Sequence, residues 1–270
     1  MAESVFVDVP DFIEKSVSWN PWHGCHKVSE GCRNCYMFLG DVGRGVEGSD
    51  VVRRSKSQFN LPLKKDRNGL YTLRDKLVLT TMTSDFFIED AAEWRDDAWS
   101  MIRRRADCTF EILTKRPQRI IECLPSDWGS GYRNVRLSVS VENQRFWDER
   151  VSILIDVPAI KRDVFLCPMI GPVDTDALLS SGRICCVYVG GELYKGARLC
   201  DVDWVTAVRE SCVRNGVSFI WRNCGSNILV DGQVLTDLSF SAQSRLCASR
   251  APDHIVDDPL PRTPVQRTLF

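Results

Sequence analysis

The sequence predicts an α/β fold built on a full or partial (β/α) TIM-type barrel of about 6–8 parallel strands. Three observations carry that prediction. Short β-branched runs alternate with segments of helical spacing, the runs are apolar enough to be buried, and each run ends in polar residues. No GxGxxG follows the first run, which favours a closed or partly closed barrel over a dinucleotide-binding sheet.

The first strand is expected at SVSW (16–19), running into Asn20 and a loop with three cysteines. A long connection, 40–75, follows. Within it RRSKSQFNLPLKKDR holds six basic residues, Arg53, Arg54, Lys56, Lys64, Lys65 and Arg67, against one acid. KLVLTTM (76–82) is the second strand and ends at Thr83, Ser84 and Asp85. EDAAEWRDDAWSMIRRR then reads as a helix with Ala92, Trp99 and Ile102 on one face. Its acidic start (Glu89, Asp90) and its Arg103-Arg104-Arg105 end complement the helix dipole.

TFEILT (109–114) is the third strand, ending at Lys115-Arg116, and RPQRIIECL carries helical spacing with Pro117 at its first position. VRLSVSV (135–141) ends at Glu142-Asn143 before the helix QRFWDERVSILIDV. RDVFLC (162–167) ends at Cys167-Pro168, with a short helix expected in VDTDALLSS. ICCVYVG (184–190) runs into Gly190-Gly191-Glu192. The helix DVDWVTAVRESCVRN stops at Asn215-Gly216, and VSFIWR (217–222) ends at Arg222-Asn223. ILVDGQVLTDLSF suggests a hairpin turning at Asp231-Gly232. The domain division is therefore 1–250 for the barrel, with a small C-terminal extension from about 225, and 251–270 for an extended tail rich in proline and charge. Seven polar strand ends in succession point to one rim and one site.

Composition bounds the function. The 270 residues are 44% hydrophobic and 26% charged, with a net charge of −1, so any affinity for nucleic acid must come from a local patch such as 53–67. No apolar run approaches the roughly 18 residues of a membrane span. MAESVFVDVPDFIEKS is acidic and lacks the apolar segment of a secretory signal. With 12 cysteines, the expected compartment is the reducing cytoplasm. Most of those thiols lie in apolar runs and read as small buried hydrophobes.

The exceptions are in WNPWHGCHKVSEGCRNCYMF (19–38), where Cys25, Cys32 and Cys35 stand at C-x6-C-x2-C. Three thiolates suit an iron–sulfur cluster with one open iron, or a zinc site closed by His23 or His26. Spacing leaves both open; the loop's place on the rim favours the cluster. Elsewhere on the rim, Lys115 and Arg116 could clamp a phosphate or carboxylate. Glu142 could meet a ribose hydroxyl or take a proton, and Glu192 follows glycines that permit close approach of a ligand.

A barrel with three loop cysteines after its first strand resembles the radical S-adenosylmethionine (radical SAM) superfamily, whose usual spacing is C-x3-C-x2-C. The longer spacing and WNPWHGC…SEGCRNCY resemble the phage Gp37/Gp68-like (three-Cys-motif) family, a radical-SAM-like group. TSDFFIEDAAEWRDDAW, FEILTKRPQRI, RLSVSVENQ…DERV, IGPVD, VYVGGELYKGAR and DWVTAVRESCVRNGVSFIWRNCG extend the likeness, in order, over roughly residues 16–226.

That resemblance implies that Cys25, Cys32 and Cys35 hold a [4Fe-4S] cluster whose open iron is chelated by S-adenosyl-L-methionine. Electron transfer from a donor such as flavodoxin or ferredoxin would then cleave the cofactor and start radical chemistry. Tyr36 would pack near cluster or adenine, and Thr83, Ser84 and Asp85 are candidates for the cofactor's amino group. Asn143, Gly190, Gly191, Glu192 and Arg222 are further candidates for the cofactor side of the rim. Gly190-Gly191-Glu192 follows the sixth strand, however, whereas the superfamily motif it resembles follows the second, so the amino-group role of that motif is not carried over. On the reaction side stand Lys115, Glu142 and Cys167, the last as hydrogen donor or extra ligand. Cys167-Pro168 replaces an expected EP, and Arg222-Asn223-Cys224-Gly225 an expected KQWG, so the substrate need not be that of the relatives. A nucleic-acid base or nucleotide is the expected substrate. The final QRTLF resembles a sliding-clamp docking motif anchored by Gln266, Leu269 and Phe270. Two alternatives stay open: a non-enzymatic, zinc-stabilised nucleic-acid-binding protein, and a radical SAM enzyme for a small metabolite or peptide.

Overall fold

A computed structural model describes residues 16–194 and 196–250. The expected strands form at Ser16–Trp19, Leu77–Thr80, Thr109–Thr114, Val135–Val141, Lys161–Leu166, Cys186–Gly190 and Ser218–Asn223. They make one parallel sheet in chain order, each pairing with the next. The sheet curls into a half-barrel whose edges are the first and last of these strands.

Period-two alternation with both faces covered explains the long buried runs of the central strands. Phe110, Ile112, Val135, Leu137, Val139, Val141, Val164, Leu166, Val187, Val189, Phe219 and Trp221 join the main core, which also takes residues from the covering helices. The alternate residues make a second, smaller cluster of Phe165, Cys186, Tyr188 and Ile220, packed against Leu113 and Cys167. Polar groups share that face. Arg136 donates to both oxygens of Asp163, at 2.5 and 2.9 Å, and lies 3.5 Å from Glu111, which also accepts from Ser138.

Helices form at Ala92–Arg103, Gln144–Asp156 and Val202–Asn215, the last ended by Gly216 in the left-handed region at φ 64°. Ala92 is exposed, however; the buried face of its helix is Arg95, Ala98, Trp99, Met101 and Ile102. RPQRIIECL makes two 3-10 turns, Pro117–Arg119 and Ile121–Cys123, since its apolar stretch is too short to sustain an α-helix. VDTDALLSS yields a single turn, Asp176–Leu179. Two helices escaped the sequence reading, Tyr36–Gly43 and Phe240–Arg250.

The hairpin at Asp231-Gly232 pairs Ile228–Val230 with Gln233–Leu235, and a parallel strand Cys200–Asp201 extends it. The long connection is tied to the cysteine loop where Arg53–Arg54 pairs with Trp22–His23. It is tied to the barrel where the Trp19 indole donates to the Gln58 and Phe59 carbonyls. Its six basic residues are exposed. Among the described residues no helix is long and apolar enough to cross a membrane. The tail, with Gln266, Leu269 and Phe270, lies outside the described residues.

Candidate functional site

A cleft of ≈ 310 Å³ opens over the carboxyl ends of the strands, and Cys25, Cys32 and Cys35 line it. Local sequence explains how the loop reaches it. Gly24 turns with φ 99°, and a Cβ there would stand 2.4 Å from the Val51 carbonyl oxygen, so only glycine fits. Cys25 N–H then donates to the Ser49 carbonyl at 3.0 Å. Cys32 closes the 3-10 turn Glu30–Cys32, and Cys35 is the residue that opens the helix Tyr36–Gly43.

Charged residues at the strand ends strap this loop in place. Asp85 accepts from Phe87 N–H and the Thr114 hydroxyl on one oxygen, and from Lys115 N–H and Arg116 on the other. Arg116 continues to the His26 carbonyl at 2.8 Å and the Cys25 sulfur at 3.8 Å. Glu142, fully buried, accepts from Gly31 N–H at 3.3 Å, Arg150 at 2.9 Å and Lys115 at 3.5 Å. A Cβ on Gly31 would come within 2.8 Å of the Glu142 carboxyl carbon, which explains the glycine of SEGC. Asn143 caps the helix Gln144–Asp156 by accepting from Phe146 N–H, and its amide donates to Glu30. Glu192 is gripped by Arg198 and by the Asn34 amide at 2.9 Å, while Arg198 also reaches the Glu30 carbonyl at 2.9 Å.

The structure thus brings most of the predicted rim together and gives several of its members other partners. Beside the three cysteines, Tyr36, Ser84, Asp85 and Lys115 line the cleft, as do Cys167, Gly191, Glu192 and Arg222. Thr83, Glu142, Asn143 and Gly190 are not among the lining residues. Thr83 is engaged by Asn20 and the Trp22 carbonyl, and the Ser84 hydroxyl donates to the Gly24 carbonyl at 2.5 Å. Gly191 is required by the protein itself, and Gly190 is tightly enclosed. A Cβ on Gly190 would meet Asn223 at 3.0 Å and Cys167 at 3.2 Å, and one on Gly191 would meet Gly225 at 2.8 Å. Tyr36 donates its hydroxyl to the Met82 carbonyl.

Arg150, Arg198 and Asn34 were not singled out from the sequence. Asn34 sits inside CRNC, Arg198 inside ELYKGAR and Arg150 inside DERV, so the motif segments held that signal for all three. Phe165 and Tyr194 also line the cleft, and Phe165 stacks on Tyr188 at 4.2 Å between ring centroids.

Electrostatics follows this wiring. Burial would push the Glu142 carboxyl up, but Lys115 and Arg150 outweigh it and hold the group below its ordinary range. Glu192 is likewise held low, its burial outweighed by hydrogen bonds from Arg198 and Asn34. Burial pushes the Cys167 thiol up to about 11 against the pull of Arg222 and Lys115, so it is neutral at pH 7. Both loop imidazoles face carboxylates, His23 on Asp41 at 2.7 Å and His26 on Asp90 at 3.0 Å.

Fold and site define a parallel α/β half-barrel with a three-cysteine loop held over its strand ends. Residues 12–251 match the family described as protein of unknown function (DUF5131), and the chain belongs to that family. No curated protein and no solved structure shows significant similarity to it.

Proposed function

We propose that the protein is a radical SAM enzyme, its half-barrel the radical-SAM-like form of the fold, acting on a nucleic-acid base or nucleotide. One observation carries the reading: three cysteines of one loop line the cleft at the strand ends. The donor set fits a thiolate-bound [4Fe-4S] cluster, because it supplies soft ligands and leaves a position open. Among the described residues no three His, Cys, Asp or Glu side chains form a ready metal group. Of the two imidazoles that would close a zinc site, His26 lines the cleft with the thiols and His23 does not. Each is hydrogen-bonded to a carboxylate through one ring nitrogen, as zinc-bound histidines also are, so metal analysis decides between cluster and zinc.

Cluster and S-adenosyl-L-methionine, when bound, supply one-electron chemistry and a carbon radical. The chain's own residues do the rest. Arg116 orients Cys25 through its sulfur and the next carbonyl. Glu142 fixes the backbone just before Cys32, and Glu192 with Arg198 fixes Asn34 beside Cys35. Cys167 lines the cleft with a neutral thiol that donates to the Tyr188 carbonyl at 3.8 Å, and freed from that weak bond it is suited to giving a hydrogen atom to a carbon radical. The exposed basic connection, hydrogen-bonded to the cysteine loop, supports a nucleic-acid substrate.

Anaerobic iron and sulfide analysis of wild type and Cys32→Ala tests this. About four irons and four sulfides per chain, lost in the variant, are expected for a cubane cluster. Stoichiometric zinc with no brown chromophore after reconstitution would refute it and favour the zinc-stabilised binding protein.

A further inference from the structure

The acids and bases around the cleft do not cancel, and the imbalance is localised. The lining acids each have their own arginine: Asp85 pairs with Arg116 at 3.1 Å, and Glu192 with Arg198. Lys115 shares Glu142 with Arg150, at 3.5 and 2.9 Å, so that trio keeps one positive charge in excess. Arg222 adds another. It lines the cleft, is half-buried, and its side chain makes no hydrogen bond or ion pair with any described residue; its guanidinium stands 5.7 Å from the centroid of the Phe165 ring.

Arg222 also lines a smaller cavity of ≈ 20 Å³, together with Glu111. Oε2 of Glu111 accepts no hydrogen bond and stands 3.5 Å from Arg136, and no hydrogen bond or ion pair joins it to Arg222. The guanidinium is therefore left with its donors unused at the floor of a cavity. The carboxyl that shares the small cavity with it, Glu111, is pushed up to about 8 by its burial and is mostly neutral at pH 7. Asn223 follows Arg222 in the chain and lines the cleft, and Cys167 lies against the strand that pairs with its own. Lys115 reaches the same floor, donating to the Ser140 hydroxyl at 2.8 Å, which in turn donates to the Cys167 carbonyl at 3.1 Å. Five fixed donors with no acceptor in a partly desolvated site are costly to keep unless something supplies the acceptors.

We propose that Arg222, with Lys115 as second donor, forms an anion subsite on the floor of the cleft that takes a carboxylate or phosphate group of a bound ligand. The guanidinium fork matches either group in two-point contact, and the Phe165 face gives it a flat support. Arg116, which the sequence paired with Lys115 for this role, is committed to Asp85 and the cysteine loop. The subsite deepens the function proposed above by fixing the charge of what enters the cleft, but its binding can be measured without a cluster.

Isothermal titration of the full chain uses 5′-AMP, L-methionine and adenosine as probes, the last lacking an anion. AMP or methionine is expected to bind at least about tenfold more tightly than adenosine, and Arg222→Gln to remove that advantage, a loss of about 10- to 100-fold. Arg222→Lys should recover part of it as a point charge. Loss confined to AMP assigns the site to a phosphate-bearing substrate; loss confined to methionine assigns it to the amino-acid end of the cofactor; either supports the subsite. Because the Arg222 side chain bonds to no described group, Arg222→Gln should unfold at the wild-type temperature and hold the same iron. Wild type binding all three probes alike, or Arg222→Gln binding AMP and methionine as wild type does, would overturn the subsite. Iron and sulfide content judges the radical SAM reading separately.

Discussion

Replacing Glu142 by Gln is the sharpest probe of how the loop is held. The carboxylate is fully buried among Arg150 at 2.9 Å, Lys115 at 3.5 Å and Gly31 N–H at 3.3 Å. Gln keeps the shape, and its amide oxygen can still accept from Gly31. Arg150, however, is only 2% exposed and would retain just the Ser140 carbonyl at 2.6 Å and the Phe146 ring at 4.0 Å. Removing one partner of a buried ion pair costs roughly 3–5 kcal/mol. The surviving Ser140 bond places this case at the lower end, ~3 kcal/mol. Urea unfolding at pH 7 measures it.

The sign of the pH dependence follows from the depressed carboxyl. The unfolded chain takes up the proton first, so the stabilisation is complete above the ordinary carboxylate range and is lost as pH falls through the lower folded value. The gap between wild type and Glu142→Gln should therefore be widest at neutral pH and close in acid. A loss under ~1 kcal/mol at pH 7, the worth of an exposed pair, would refute the reasoning. So would a gap that stays constant into acid.

Gly31→Ala should push its new methyl against the Glu142 carboxyl carbon, lowering stability by roughly 1–3 kcal/mol and reducing iron bound per chain; thermal unfolding and iron analysis check both. Asn143→Ala removes a helix cap and should cost about 1 kcal/mol in urea unfolding. In Glu111 burial, then Asp163, outweigh Arg136 and push the carboxyl up to about 8. The folded state thus binds this proton more tightly than the unfolded one, and wild-type stability should decline as pH rises from the ordinary carboxylate range through about 8. Glu111→Gln should flatten that decline in urea midpoints; equal slopes in both proteins would count against a protonated Glu111.

The strands were legible because burial and period-two alternation leave a local signature. VRLSVSV shows it directly: its valines and Leu137 face the main core, and Arg136, Ser138 and Ser140 face the other side. The helix Tyr36–Gly43 was not legible, since YMFLGDVG holds two glycines and begins inside the cysteine motif. Phe240–Arg250 buries only Gln243 and Cys247, so its sequence shows no apolar stripe. The rim was legible as a place but not in its roles. A carboxylate at a strand end looks the same in sequence whether it meets a ligand or a loop, and here the partners are remote: Glu30 for Asn143, Asn34 for Glu192, Gly31 for Glu142.

That commitment of the acids bears on what the cleft can do. A general base needs a free acceptor within reach of the substrate. Asp85 and Glu192, the described acids lining the cleft, each accept from an arginine and from backbone N–H groups, and Glu142 behind them is saturated by two cations and Gly31. His26, the lining imidazole, is bonded to Asp90. Among the described residues that line the cavity are a neutral thiol at Cys167, cations at Lys115 and Arg222, and the three thiols of the loop. Such a set is poor at removing a proton from carbon and well suited to holding an anion while a hydrogen atom moves. This is why the radical reading is preferred to an acid–base one, and why the charge at Arg222 and the thiol at Cys167 are the two places where a substitution should separate binding from chemistry.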